Sequence, residues 1–310
     1  MIDFEIAGVD MKFATFERDS KLFSGVVVGE YAVRLDSFGT IRKLVSGGSL
    51  SLLSFIEIAD ATLLSALERE IDSLSESELL RMAEREEAFG INEVRLRAPI
   101  PRPPAVFCLG FNFRSHAPEL KRPVPEVPVV FMKPSKSVVG PEDEIVLPKD
   151  SARVDYEVEL CVVIGKGGRY IPRSEAYSRI FGYTVLNDIT ARDIQQRDFS
   201  LARPWLRSKG FDTFAPIGPF VVTGDEVGDP MSLSLSLSVN GEVRQSSRTG
   251  EMIFDVPSVV EYISSFTTLE PGALIAMGTP EKIGQLHDGD LVEATVERIG
   301  TLRNRAVLEK

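Results

Sequence analysis

The sequence is poor in the residues that staple, anchor or flag a protein: its 310 residues include two cysteines, two histidines and one tryptophan. Two cysteines cannot build the framework of a small disulfide-rich domain. Cys108 and Cys161 each lie inside an apolar run, where a reduced, buried thiol is expected. No His or Cys stands at ligand spacing from either one, so a zinc site of the thiolate type is excluded. No apolar run approaches the roughly 18 residues a membrane span requires. The start, Met1-Ile2-Asp3-Phe4-Glu5, also lacks the basic and then apolar pattern of a secretion signal, so a cytoplasmic location is expected. Basic charge is short as well: 35 Lys and Arg face 46 Asp and Glu, a formal net charge of −11. Nucleic acids and anionic membranes reward clustered cations, so neither is the expected partner.

What remains is the composition of an ordinary globular protein, 43% hydrophobic and 26% charged, long enough for one large domain and a small one. Alternation at Ile2, Phe4 and Ile6, then strand-like runs at residues 13–16 and 26–28, predicts a small β-rich start. From Asp60, a plausible N-cap, apolar residues fall at Leu63, Leu67, Ile71 and Leu74, one face of a helix. A second helix is predicted over residues 76–89, with Gly90 as its C-cap. Pro99, Pro101, Pro103 and Pro104 then enforce an extended connector, which divides a small N-terminal α+β domain, residues 1–98, from a larger domain, residues 99–310.

Beyond the connector, strands are predicted at residues 105–109, 127–132, 156–164, 181–186, 220–223, 233–239, 273–277 and 291–296. Leu233, Leu235, Leu237 and Val239 alternate with serines and lead into Asn240-Gly241, a two-residue hairpin turn. Many short strands and few helices argue for a mixed, β-rich α+β fold and against a doubly wound nucleotide fold. Gly165-Lys166-Gly167-Gly168 lacks the spacing of a phosphate loop and is expected to be a strand-ending turn.

The densest chemical signal is the run from Val154 to Ile164. Strand alternation places Asp155, Glu157 and Glu159 on one face, where three carboxylates need either bulk water or a cation. Oxygen ligands without His or Cys would suit Mg²⁺, Mn²⁺ or Ca²⁺. Asp188 ends a predicted strand, and Thr190 with Asp193 forms an S/T-x-x-D capping box that would start a helix. His116 and Glu119, three apart, would share a face if their segment turns helical, so the carboxylate could orient a general base; a turn histidine is the plainer alternative. His287 reads as a turn residue outside any site. Lys209 sits among aromatics and Gly210; buried, it would stabilise developing negative charge, and exposed it would only lie along its apolar neighbours.

The order of these signals is more telling than any one of them. Residues 110–119, 131–135, 155–159, 187–195, 209–216, 239–242 and 277–280 together resemble the fumarylacetoacetate hydrolase family, over about two thirds of the chain. Residues 299–305 fit the same pattern. The resemblance implies a β-roll catalytic domain and a divalent ion, Mg²⁺ or Mn²⁺, held by Glu157, Glu159 and Asp188, with Asp155 outside the ligand set. It implies that His116 and Glu119 activate water, that Lys209 stabilises an enolate or oxyanion, and that Arg192, Gln195 and Thr279 bind an anionic 2-oxo acid. The reaction it implies first is hydrolysis of a carbon–carbon bond in an acylpyruvate-type 2,4-dioxo acid. Oxaloacetate decarboxylation and isomerisation or hydration of unsaturated 2-oxo acids are the alternatives within the family, and a catalytically silent metal-binding module is the alternative outside it. A homodimer is implied too. Two positions depart from the family pattern: Phe113 where many members have tyrosine, and Glu281-Lys282 where many have Ser-Gly.

Overall fold

The structure is a computed structural model that describes residues 11–45, 50–115 and 124–310. His116 and Glu119, and the alternation at Ile2, Phe4 and Ile6, lie outside the described residues.

The backbone is a β-rich α+β architecture, as expected, built on a twelve-stranded mixed sheet. Its main path runs Ala88–Gly90, Tyr31–Arg34, Lys21–Val28, Lys12–Arg18, Ala215–Thr223, Ile180–Asn187, Val158–Ile164, Leu274–Ala276, Val106–Gly110 and Val129–Lys133. The early strands therefore continue the sheet of the later ones, with Lys12 opposite Val222 and Phe13 opposite Val221. A five-stranded sheet packs against it, holding the hairpin Ser234–Val239 and Glu242–Arg248 together with Leu291–Val296 and Gly300–Leu308. The hairpin turns at Asn240 (φ 52°) and Gly241 (φ 80°), the two positive φ angles that this turn demands.

The central strand Val158–Ile164 is buried along its whole length because both of its faces are covered. Val158, Leu160, Val162 and Ile164 enter one core, together with Leu235, Leu237 and the helix Val256–Phe266. Cys161 and Val163 enter the other core, with Phe13, Phe55 and Leu67 from the N-terminal part. Both cysteines are free and buried, and burial pushes their thiols up in pKa. Phe13 ties the two parts of the chain: its ring centroid lies 5.3 Å from Phe55 on the helix Leu52–Ile58 and 5.3 Å from Phe181. A buried aromatic cluster of this kind stabilises through both area and ring contact.

The helix predicted from Asp60 forms as Ala61–Asp72, and the Asp60 carboxylate accepts from the Leu63 N–H. The next helix differs from expectation, ending at Glu84 rather than near Gly90. Glu86 takes the left-handed conformation (φ 57°), and the Glu87 N–H closes onto the Met82 carbonyl, which terminates the helix early. Residues 88–90 instead pair with Tyr31–Arg34 as a strand, since Ala88 and Phe89 are needed in the core. The glycine run at 165–168 is a strand-ending turn, as expected. Among the described residues no helix is long and apolar enough to cross a membrane.

Candidate metal centre

The acidic run changes sheets at Glu157. Val154–Tyr156 pairs with Thr190–Ala191 and Gly284–Gln285, whereas Val158–Ile164 pairs with Ile180–Asn187 and Leu274–Ala276. Glu157 sits in the break, its N–H fixed by the side-chain oxygen of Asn187 at 2.9 Å. Asp188 follows the end of its strand and donates its own N–H to the Glu157 carbonyl at 2.8 Å. Backbone contacts thus bring Asp188 beside the two glutamates. One carboxylate oxygen from each of Glu157, Glu159 and Asp188 lies within 4.8 Å of the others, and all three residues are buried.

Burying so much negative charge requires compensation. Asp155, fully buried, is held by Arg153 at 2.8 Å and by the Arg192 Nε at 2.9 Å. Arg192 bridges onward to Glu157. Lys209 Nζ stands 2.9 Å from Glu157 Oε2 and also contacts Asp188 Oδ2. Burial alone would lower the Lys209 pKa, but the anionic Asp188 and Glu157 outweigh it and hold the ammonium above its ordinary value. Lys133 Nζ lies 2.8 Å from Asp188 Oδ1, yet its protons go to the carbonyls of Ile189, Lys209 and Phe214 at 3.0, 2.5 and 2.8 Å. Its charge therefore neutralises Asp188. Burial pulls the Lys133 pKa down, against the attraction of Asp188.

Glu159 is treated differently. Its Oε2 accepts the Gly278 N–H at 2.7 Å, its Oε1 is buried with no partner, and no cationic side chain pairs with it among the described residues. Burial, reinforced by Asp188 and Glu157, pushes its carboxyl well above the usual range. Gly278 earns its place by geometry: its φ is +91°, and a Cβ there would stand 2.9 Å from the Cβ of Asn112. A buried three-carboxylate cluster, all hard donors, in which Glu159 Oε1 has no partner, fits a divalent cation of the Mg²⁺, Mn²⁺ or Ca²⁺ type.

Four of the other residues singled out in the sequence lie together beside this cluster. Arg192, Gln195, Lys209 and Thr279 line one narrow pocket with Glu157. Phe111, Phe131, Phe199 and Trp205 form its aromatic wall, with Trp205 5.0 to 5.6 Å from the other three rings. Phe113 is fully buried in the core instead, bridged to Met252, and does not line this pocket. The expected capping box does not form: the helix Arg192–Ser200 starts without a side-chain cap. The Thr190 hydroxyl is spent between Glu157 Oε1 (3.0 Å) and the Asp188 carbonyl (2.9 Å), and Asp193 is taken by Ser151 and the Ala152 N–H. Sequence reasoning gave no role to Lys133, Gln245, Asn187 or Asn112, all fully or almost fully buried. Neither Lys133, whose strand is separated from the acidic strand by two others, nor Asn112, whose side chain bonds Phe254 and Met277, offered a local signal.

The chain matches the family model for the fumarylacetoacetate hydrolase C-terminal domain over residues 105–307. A mitochondrial oxaloacetate tautomerase of Rattus norvegicus is 38% identical over 270 residues, 85% of each chain. Among solved structures, 5-carboxymethyl-2-hydroxymuconate delta-isomerase of Mycobacterium smegmatis superposes with a TM-score of 0.74 at 32% identity, over 96% of this chain and all of that one. Maleylpyruvate hydrolase of Sphingobium sp. SYK-6, solved with manganese(II) and pyruvate, gives 0.77 at 27% identity, over 97% of this chain and all of that one.

Proposed function

The chain belongs to the fumarylacetoacetate hydrolase family, and we propose that it is a divalent-cation-dependent enzyme that turns over small 2-oxo acids through an enolate. The observation that carries this reading is Glu159, a buried carboxylate with an unbonded oxygen and no cationic partner among the described residues, set between two further carboxylates. Glu157, Glu159 and Asp188 would hold the ion, which when bound supplies Lewis-acid stabilisation of negative charge on the substrate oxygens.

The side chains of this protein do the rest. Arg192 and Gln195, joined by a hydrogen bond, present a fixed cation and amide to the substrate carboxylate. Lys209 keeps its proton because two carboxylates face it, so it stabilises developing negative charge as a pre-oriented donor. Lys133 fixes both Asp188 and the Lys209 main chain, so the two cannot drift apart as charge moves. The aromatic wall narrows access for water on one side.

Keto–enol interconversion of an oxaloacetate-type acid is the reaction favoured, since the relative of that name aligns over 85% of both chains. Hydrolysis of a 2,4-dioxo acid is the second reading, supported by His116 and Glu119 in the sequence and by the likeness to maleylpyruvate hydrolase. The test is to follow enol-oxaloacetate decay by its ultraviolet absorbance and acylpyruvate cleavage by mass spectrometry of the products, in Mg²⁺ and in Mn²⁺. Tautomerisation that survives His116→Ala, with no acylpyruvate product, selects the first reading. Cleavage lost in His116→Ala with cation affinity intact selects the second. Equal rates in wild type and Glu157→Ala overturn both.

A further inference from the structure

Gln245 stands out among the residues with no assigned part: it is fully buried on an otherwise largely exposed edge strand, Glu242–Arg248. The hairpin register explains how it gets there. Ser238 faces Val243 but Leu237 faces Gln245, so Arg244 is an extra residue, and this bulge turns Gln245 inward opposite the buried Leu237 in its place.

Its side chain then joins two parts of the site. Its Oε1 accepts the Val158 N–H at 3.1 Å, in the strand between Glu157 and Glu159. Its Nε2 donates to Thr279 Oγ1 at 3.0 Å and to the carbonyls of Pro280 and Glu281 at 3.0 and 3.2 Å. The orientation of the amide is forced. A backbone N–H can only donate and two carbonyls can only accept, so the oxygen must face Val158 and the nitrogen must face the Gly278-Thr279-Pro280 loop. Thr279 Oγ1 is therefore an acceptor toward Gln245. A hydroxyl carries one proton, and no hydrogen bond from the Thr279 hydroxyl to an acceptor is present among the described residues.

From this juxtaposition we infer that Gln245 is a positioning residue that makes Thr279 an obligate hydrogen-bond donor to the ligand. The pocket therefore selects a group that only accepts there, the carboxylate or carbonyl oxygen of an anionic 2-oxo acid. This deepens the functional reading above and rests on it. Inverting the amide would make Thr279 donate to residue 245 and leave the ligand facing lone pairs.

Kinetics of the Mn²⁺-loaded enzyme on oxaloacetate test it with Thr279→Val, Thr279→Ser, Gln245→Leu and the Gln245→Leu/Thr279→Val double variant. Loss of one hydrogen bond to an anion is expected to raise KM about tenfold in Thr279→Val, with kcat changed less than about threefold. Thr279→Ser restores KM. Gln245→Leu raises KM when Thr279 is present and adds nothing to KM in the Thr279→Val background, because its effect on the ligand runs through that hydroxyl, while the lost bonds to Val158, Pro280 and Glu281 are read separately as a lower Tm. An unchanged KM in Thr279→Val, or a full additional effect of Gln245→Leu in the double variant, overturns the inference. Should Gln245→Leu fail to fold, calorimetry with oxalate, an anion that only accepts, decides: weaker binding in Thr279→Val with recovery in Thr279→Ser supports it, and equal affinity in all three overturns it. A wild-type protein that is inactive and binds no oxalate with Mn²⁺ overturns the functional reading and this inference together, whereas an active wild type with indifferent Thr279 variants overturns the inference alone.

Discussion

Replacing Glu159 by glutamine separates the charge of the carboxylate from its shape. Without a cation the buried Glu159 carboxyl is held well above its ordinary pKa of 4.5 by desolvation and by Asp188 and Glu157. A carboxyl whose folded pKa is raised stabilises the fold fully below the unfolded pKa. That contribution is lost as pH rises through the raised value, because there the native state alone must keep or give up the proton. Across that window the loss is about 1.4 kcal/mol per pH unit for one group, or roughly 2 °C of Tm in a chain of this size. A cation at a hundred times its Kd returns about 2.7 kcal/mol, roughly 4 °C, and displaces the proton. Differential scanning fluorimetry of the cation-free protein should therefore show a downward slope of Tm above the ordinary glutamate range. Mg²⁺ or Mn²⁺ should reverse it, and calorimetry in two buffers of different ionisation enthalpy should register proton release. In Glu159→Gln the slope should flatten, the cation-free Tm at pH 8 should equal or exceed that of the wild type, and the cation response should vanish. The Gln amide still accepts the Gly278 N–H, so a simple packing defect is not introduced. A variant that keeps the wild-type rise in Tm with Mn²⁺ would refute the assignment of Glu159 as the residue that requires the ion.

Lys209→Met should lower kcat about a hundredfold with the cation bound, as loss of one oriented donor does elsewhere, and Lys209→Arg should not restore it because a planar guanidinium cannot reach Glu157 and Asp188 from the same point. Steady-state rates with enol-oxaloacetate check both. Phe13→Ala should cost about 3–5 kcal/mol of stability by opening a cavity between Phe55 and Phe181, read as a lower midpoint in urea. An unchanged midpoint would mean that the N-terminal strands add nothing to the stability of the main sheet. Gly278→Ala should weaken Mn²⁺ binding measured by calorimetry, because the added Cβ meets Asn112 and displaces the N–H that holds Glu159. Wild-type affinity there would show that the loop relaxes at no cost.

Much of the local structure was legible because it depends on neighbours in the chain. The Asp60 cap, the hairpin at Asn240-Gly241 and the apolar strands all follow from short-range periodicity and turn chemistry. The errors arose where a local signal met a tertiary demand. Gly90 offered a C-cap, but Ala88 and Phe89 were drawn into a strand and the core, and the helix ended at Glu84. Thr190 and Asp193 had the spacing of a capping box, but the burial of Glu157 claimed the threonine hydroxyl. Sequence alternation put Asp155, Glu157 and Glu159 on one face; it could not say that the chain leaves one sheet for another at Glu157.

By itself the sequence determined the β-rich class, the all-oxygen character of the acidic cluster and the ordered set of motifs that led to Glu157, Glu159, Asp188, Lys209, Arg192, Gln195 and Thr279. Residue type and order are written in the chain, so chemistry that depends on them can be read there. Only the tertiary structure decided which carboxylates are compensated. Arg192 answers Asp155 and Glu157, Lys133 and Lys209 answer Asp188, and Glu159 is left with a backbone N–H and an unbonded oxygen. The cost of a buried charge depends on what stands within a few ångströms of it, and Lys133, Gly278 and Gln245 reach the site across 55, 119 and 87 residues of chain from their partners Asp188, Glu159 and Val158.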